Sequence, residues 1–294
     1  MIVLDRLTKA FSNGRGIFDL SLRVAQGEVF GYLGPNGAGK STTIRHLMGF
    51  LRPDAGSARI NGLDCFASAG EVQEHVGYLP GEMGFLDGMS GRQFLDLLAG
   101  MRRLRDRGRQ KSLVDRFELD AKTPIRKMSK GMKQKVGIVA AFMHQPDVLI
   151  LDEPTSGLDP LMQRRFLELI EEEKRRGATI LMSSHVFPEV ERACDRVGII
   201  RDGRLVAVQD VKSLRQLQRR VFAVGIGDAA DADRLKAAGC RVVGRRDNEL
   251  DIEVRGDYNA FIKALADCDV RALDVHEQSL EQIFLHFYGA KEAH

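Results

Sequence analysis

The sequence lacks any long apolar run. No stretch approaches the roughly 18 consecutive apolar residues of a membrane-spanning helix. The first residues, MIVLDRLTKAF, also lack the pattern of a secretory signal peptide. We therefore expect that any role at a membrane depends on a different chain.

Cysteine is scarce, and the charges are nearly balanced. The four cysteines, Cys65, Cys194, Cys240 and Cys268, are far apart and form no CxxC pair. This spacing fits reduced thiols in a cytosol better than a disulfide framework or a zinc site. The net charge of +3 is too small to favour nucleic acid, which usually needs a clustered basic face. The densest basic run, residues 101–111, fits a solvated surface, with a contact to anionic lipid or a partner as the alternative.

The pattern over the first half of the 294 residues predicts strands followed by helices. Short strands separated by turn sequences cover about residues 1–33, and a helix runs from Lys40 to Leu51. The dipeptide Asn61-Gly62 predicts a hairpin turn. Residues 90–145 are mostly helical in pattern, which predicts a helical region.

The second half begins with buried strands and ends in a separate unit. The strands VLILDEP and ATILMSSH flank a helix that Asp159-Pro160 opens and Gly177 closes. After a linker at 211–220, the pattern restarts as strand, helix, strand, strand, helix, strand and helix. We therefore predict an α/β fold with a main domain at 1–215 and a small C-terminal α/β domain at 220–294.

The segment GPNGAGKS, residues 34–41, carries the clearest chemistry. It has the complete P-loop pattern, and it follows a predicted strand and precedes a predicted helix, which favours a phosphate site over a plain glycine-rich turn. Glycines let the backbone N–H groups surround phosphates, Lys40 would reach the β and γ phosphates, and Ser41 would bind Mg²⁺. The predicted nucleotide-binding residues here are Gly34, Pro35, Asn36, Gly37, Ala38, Gly39, Lys40, Ser41 and Thr42.

The segment VLILDEP, residues 148–154, places two acids at the end of an apolar strand. Two adjacent acids can be ordinary surface residues, but a P-loop upstream favours a catalytic role. Asp152 would hold Mg²⁺ through water. Glu153 would act as the general base for the attacking water.

With these residues identified, the chain resembles the nucleotide-binding subunit of an ATP-binding cassette (ABC) transporter over about residues 2–215. MSKGM (128–132) stands where the family has its signature LSGGQ, and SGLD (156–159) resembles the D-loop. His185 resembles the switch histidine, and Phe11 has the place of the aromatic residue that stacks on adenine. A structural role is the alternative for both, and Asp159 also suits a helix N-cap.

The resemblance implies an ATPase with an antiparallel β region, a parallel αβ core and a helical subdomain at about 85–145. It also implies that the signature binds the γ phosphate held by a second subunit. Ser129, Gly131 and Asp159 would then act in a sandwich dimer, most simply a homodimer, with two ATP molecules at its interface. Glu153, His185 and Lys40 would be its catalytic residues, with ATP and Mg²⁺ as cofactors.

Two departures from the family pattern matter, and the first is that the signature reads Ser-Lys-Gly-Met where the family has Ser-Gly-Gly-Gln. The signature has Lys130 where the family has glycine, which adds positive charge near the phosphates. In VGYLPGEMGF, Gly81 stands where the family usually has a glutamine that ligates Mg²⁺, and Glu82 follows it. Either water or Glu82 would fill that ligand position, and we favour water.

The segments YLPGE, SKGMKQK and SLEQIFLHFYG resemble the bacterial drug- and antibiotic-exporter branch of this family. That branch implies a separate transmembrane permease, which would hold this subunit at the cytoplasmic face of the cell membrane. An importer subunit and a non-transport ABC ATPase are the alternatives. A chromosome or DNA-repair ATPase would need a long coiled-coil insertion, for which the sequence has no room. The transported substrate does not follow from this chain.

Overall fold

The computed structural model describes residues 1–86, 88–216, 220–228, 230–254 and 258–277. The chain divides into two compact units, Met1–Val211 and Lys212–His294. Within the described residues, no helix has both the length and the hydropathy needed to span a membrane. A separate role for the predicted domain 220–294 stays a prediction.

Two sheets form the first unit. One has the order β2-β1-β4-β5 with antiparallel pairs, and the other has the order β10-β9-β3-β8-β7-β6. In the second sheet the pairs from β9 to β6 are parallel, and β10 is antiparallel to β9. The predicted antiparallel β region and parallel αβ core are therefore confirmed. The strands are β1 (Ile2–Ala10), β2 (Gly16–Val24), β3 (Val29–Leu33), β4 (Ala55–Ile60), β5 (Leu63–Asp64), β6 (Val76–Leu79), β7 (Val148–Asp152), β8 (Thr179–Ser184), β9 (Arg196–Arg201) and β10 (Arg204–Asp210).

Helices connect these strands, and a group of them occupies the segment predicted to be helical. α3, α4 and α5 all lie between residues 85 and 145. The helices are α1 (Lys40–Leu47), α2 (Ala69–His75), α3 (Gly91–Met101), α4 (Gly108–Arg116), α5 (Lys130–Phe142), α6 (Pro160–Arg176), α7 (Phe187–Ala193) and α8 (Val211–Gln216), with a 3₁₀ turn at Ile125–Lys127.

The central strands β3, β7 and β8 position the functional groups. Every residue of these strands is buried, as expected for parallel strands covered on both faces. Their carboxyl ends meet at one edge of the sheet, where ligands bind in open α/β sheets. That edge carries the P-loop after β3, Asp152 at the end of β7 and His185 after β8.

Local turn and cap chemistry follows the sequence closely. Asn61 and Gly62, with φ of 50° and 87°, turn between β4 and β5. Asp202 and Gly203 do the same between β9 and β10. The side chain of Asp159 caps α6 by accepting a hydrogen bond from the Met162 N–H at 2.9 Å, as predicted.

One predicted boundary is wrong, and the predicted linker is partly helical. α1 ends at Leu47 rather than Leu51, because Gly49 takes a left-handed conformation (φ 72°) and its N–H bonds the carbonyl of His46. The predicted linker 211–220 begins with helix α8. Val211 and Leu214 are both buried there, three residues apart, which is the spacing of one helical face.

The second unit is a small antiparallel sheet with helices. Its elements are β11 (Arg220–Ile226), α9 (Asp231–Ala237), β12 (Arg241–Arg246), β13 (Glu249–Val254), α10 (Tyr258–Ala266) and β14 (Val270–Glu277). The sheet order is β12-β13-β11-β14, and Val224, Leu235, Ile252 and Phe261 share its core. The first six predicted elements are confirmed, and the last predicted helix lies outside the described residues.

Candidate active site

The P-loop lies between β3 and α1 and encloses the Lys40 side chain. Lys40 begins α1 and is buried, and its Nζ donates to the Gly34 carbonyl at 2.6 Å. Gly39 adopts φ 110°, and a Cβ there would lie 2.8 Å from a methyl group of Ile17. Only glycine fits at this position. The loop therefore places an ammonium and the free N–H groups of a helix start at one point, as a phosphate site requires.

Asp152 ends β7 as a buried carboxylate held by two hydroxyl groups. Its Oδ2 accepts from Ser41 Oγ at 2.9 Å, and its Oδ1 accepts from Ser183 Oγ. Sequence reasoning missed Ser183. The signal was weak, because its proximity depends on the register that pairs it with Asp152 across β7 and β8.

Glu153 lies between a ring nitrogen and an ammonium. Its Oε2 is 2.7 Å from Nδ1 of His185, and its Oε1 is 3.3 Å from Nζ of Lys40. Oε1 is buried and accepts no hydrogen bond from any residue that the structure describes. The backbone of Glu153 has φ 49°, and its N–H is 3.2 Å from both the carbonyl and the hydroxyl oxygen of Ser183.

A cleft of about 800 Å³ opens above these groups. It contains most of the predicted site residues and several that the sequence did not predict. The predicted residues that line it are Phe11, Pro35, Asn36, Gly37, Gly39, Lys40, Ser41, Thr42, Asp152, Glu153 and His185. The additional ones include Arg45 and Tyr78, and Lys130, expected from the sequence to add positive charge near the phosphates, lines the cleft as well. Phe11 is 39% exposed, which leaves its side chain accessible to a ligand.

Tyr78 is half-buried in this cleft, and burial, with a smaller effect from the Asp152 charge, raises its pKa to about 12. The phenol therefore loses its proton at a higher pH than an ordinary tyrosine. Its ring packs edge-on against Phe50, with centroids 6.0 Å apart. Arg45 lies four residues after Ser41 on α1, and this helical spacing could have indicated that Arg45 lines the cleft. Nothing in the sequence indicated that Tyr78 does.

Five predicted residues do not line this cleft. The Gly34 carbonyl accepts a hydrogen bond from Lys40, and Ala38, within the loop, is buried. Ser129, Gly131 and Asp159 also lie outside it. Ser129 caps α5 by accepting from the Met132 N–H at 3.2 Å. A role for these three residues at a nucleotide stays a prediction.

The start of α5 packs closely against the segment that follows Glu153. A Cβ on Gly131 would lie 2.6 Å from the Gly157 carbonyl oxygen, so glycine is required for this approach. The methylene stem of Lys130 lies beside Gly157, where a Cβ would come within 3.2 Å of Cγ. Lys130 therefore extends along the cleft of its own chain.

Gly81 lies next to the buried acid of β7. A Cβ at this position would be 3.3 Å from Oδ2 of Asp152. Glu82, the next residue, is exposed and also lines the cleft. The backbone at Gly81 therefore passes close enough for a side chain there to begin beside Asp152.

These groups can bind a polyphosphate and assist attack by water. The loop N–H groups and the Lys40 ammonium complement the negative charge of phosphates, and Glu153 supplies an acceptor for a proton.

Residues 17–156 match the family model described as ABC transporter. The bacitracin transport ATP-binding protein BcrA of Bacillus licheniformis is 35% identical over 225 residues, which cover 76% of this chain and 74% of that protein. This chain belongs to the ABC transporter ATP-binding proteins.

Relatives from the same family align with most of this chain. The daunorubicin/doxorubicin resistance ATP-binding protein DrrA of Streptomyces peucetius is 34% identical over 96% of this chain and 91% of its own. A solved ATP-binding subunit of an ABC transporter is 32% identical, with a TM-score of 0.68 over 74% of this chain and 92% of that one. This ABC protein therefore binds ATP and is an ATPase, and it resembles the drug-exporter branch.

Proposed function

We propose that this ABC ATPase powers the export of a substrate through a separate membrane permease, at the cytoplasmic face of the cell membrane. The similarity to proteins of bacitracin transport and of daunorubicin/doxorubicin resistance supports the direction, because resistance to a drug is commonly achieved by removing it. The hydrolytic role rests on one observation: Lys40 and His185 both contact the carboxylate of Glu153 inside the cleft.

The roles within the cleft follow from these contacts. The P-loop residues 34–42 bind the phosphates, and the exposed ring of Phe11 stacks on adenine. The β and γ phosphates attract the Lys40 ammonium, which otherwise faces Glu153 Oε1 at 3.3 Å. That oxygen is then free to accept a proton from water, while His185 Nδ1 holds the other oxygen.

Ser41 and Asp152 fit a magnesium ion by their chemistry. Their oxygens lie 2.9 Å apart, and Mg²⁺ prefers carboxylate, hydroxyl and water oxygens. When bound, Mg²⁺ would neutralise part of the charge on the β and γ phosphates. Ser183 holds the second oxygen of Asp152, so the carboxylate keeps a fixed orientation.

The signature residues act on a second copy of this chain. Ser129 is the N-cap of α5, and the free N–H groups and partial positive charge of this helix start favour an anion. Ser129 and Gly131 lie outside the chain's own cleft, which supports contact with the γ phosphate of a partner. Together with Asp159 they would complete a homodimer that encloses two ATP molecules.

A dimer that depends on ATP tests this proposal. In the Glu153→Gln background, ATP should shift the protein from monomer to dimer, because the γ phosphate contributes contacts that only the closed form has. Adding Ser129→Arg should abolish that shift while ATP binding persists. Light scattering with ATP, together with titration of a fluorescent ATP analogue, measures both properties.

Ser90→Arg in the same background is the matched control. Ser90 caps α3 with its side chain just as Ser129 caps α5, so both variants lose a cap worth about 1 kcal/mol. The control should still dimerise. Loss of ATP binding together with loss of the dimer in Ser129→Arg would instead assign Ser129 to its own chain's site.

A magnesium titration tests whether water or Glu82 fills the Mg²⁺ ligand position that Gly81 leaves without a side chain. If water fills the ligand position, Glu82→Ala should leave the Mg²⁺ concentration for half-maximal hydrolysis within about twofold of wild type, because a surface charge there contributes little. Gly81→Gln should lower that concentration, because the new side chain begins beside Asp152. A rise of tenfold or so in Glu82→Ala would show that Glu82 is the ligand.

A further inference from the structure

Gln134 lies on the second turn of α5 and is almost completely buried. Only 3% of the residue is exposed. Its Nε2 donates to the Pro154 carbonyl at 2.8 Å, and the Glu153 carbonyl lies 3.4 Å from the same nitrogen. A glutamine amide has two N–H groups, so it can serve both carbonyls at once.

The carbonyls that Gln134 contacts belong to Glu153, the proposed general base, and to Pro154, the residue after it. Glu153 has φ 49°, a left-handed conformation that a residue with a side chain adopts only when its surroundings hold it. On the amino side, the Glu153 N–H contacts Ser183 of β8. On the carbonyl side, the contacts come from Gln134. The strained residue is therefore held from both ends, by β8 and by α5.

We propose that Gln134 is a positioning residue for Glu153. Its amide fixes the carbonyls of Glu153 and Pro154 and so keeps the Glu153 carboxylate directed into the cleft. The inference rests on the proposed function, because it takes Glu153 as the base.

The same contacts connect two different sites. Ser129 caps α5 and Gly131 lies in its first turn, and both are proposed to bind a partner's γ phosphate. Gln134 follows one turn later on the same helix. The close approach of Gly131 to the Gly157 carbonyl adds a second connection to the segment after Glu153. α5 therefore contacts the backbone that carries this chain's own base and also carries the residues proposed to face a partner.

The Gln134→Met variant tests the positioning role. Methionine keeps the length and apolar packing of the side chain but has no N–H donor. We expect kcat to fall by about tenfold or more, because small errors in catalytic geometry are costly. The affinity for a fluorescent ATP analogue should stay close to wild type, and the Tm should fall by only a few degrees, because the buried Pro154 carbonyl loses its donor. Single-turnover hydrolysis with excess protein would place the loss in the chemical step.

Gln73→Met is the matched control. Gln73 also donates its amide to a backbone carbonyl, that of Met48 at 3.0 Å, but it lies on α2, away from Glu153. Its kcat should remain near wild type. Wild-type kcat in Gln134→Met, or an equal loss of ATP affinity and Tm with no selective effect on kcat, would overturn the inference.

Gln134→Glu adds a pH signature that simple packing would not produce. Burial and the two facing carbonyls should raise the pKa of the new carboxyl, and only its protonated form can donate. The ratio of its kcat to that of wild type should therefore fall as pH rises, whereas the ratio for Gln134→Met should stay constant. A flat ratio in Gln134→Glu would contradict donation.

Glu153→Gln distinguishes a failure of the proposed general base from a failure of the proposed positioning role of Gln134. If Glu153→Gln keeps wild-type turnover, the proposed general base is wrong. If Glu153→Gln loses turnover but Gln134→Met does not, the hydrolytic proposal stands and only the positioning role fails.

Discussion

Glu153→Gln should bind ATP at least as tightly as wild type and hydrolyse it about 10²–10⁴-fold more slowly. The carboxylate faces the cleft with one oxygen that accepts no hydrogen bond from the described residues, so it can accept a proton from water. The amide of glutamine cannot. The neutral side chain also no longer competes with phosphates for Lys40, which the structure places 3.3 Å from Glu153 Oε1.

Steady-state release of phosphate and equilibrium titration with a fluorescent ATP analogue measure the two effects separately. Glu171→Gln, an exposed acid on α6, is the control for a change of charge alone and should keep wild-type turnover. A Glu153→Gln variant that loses ATP affinity as strongly as turnover would show that the carboxylate supports binding rather than the chemical step.

Lys40→Ala should weaken ATP binding by about 10- to 100-fold, which is the range expected when a charge-assisted hydrogen bond is removed. The ammonium is buried and enclosed by the loop, with its donors directed to the carbonyls of Gly34 and Pro35. Without it, the negative charge of the β and γ phosphates is left uncompensated. Titration with the fluorescent analogue measures the change directly.

Two further measurements define the outcome for Lys40. Lys111→Ala removes an exposed lysine of α4 that does not line the cleft, and it should bind ATP like wild type. A thermal melt checks that Lys40→Ala still folds, because the change also removes the cation beside Glu153. Unchanged affinity in folded Lys40→Ala would exclude Lys40 from phosphate binding.

The sequence could determine features whose chemistry is local. A P-loop needs glycines and a lysine at fixed positions within eight residues, so residues 34–41 could be identified directly. The same holds for the Asn61-Gly62 turn and the Asp159 cap, because each depends on a few neighbouring residues. The apolar strand before Asp152 and Glu153 indicated where those acids would lie.

Tertiary structure alone decided which distant groups meet. Ser183 reaches Asp152 only through the register of two parallel strands, since a shift of one residue would turn its side chain to the other face. Gln134 reaches Glu153 and Pro154 because α5 packs against the segment after β7. Such contacts depend on how elements pack rather than on spacing along the chain. The sequence therefore determined the chemical groups of the phosphate site, and the packing of β7, β8 and α5 decided how its general base is held.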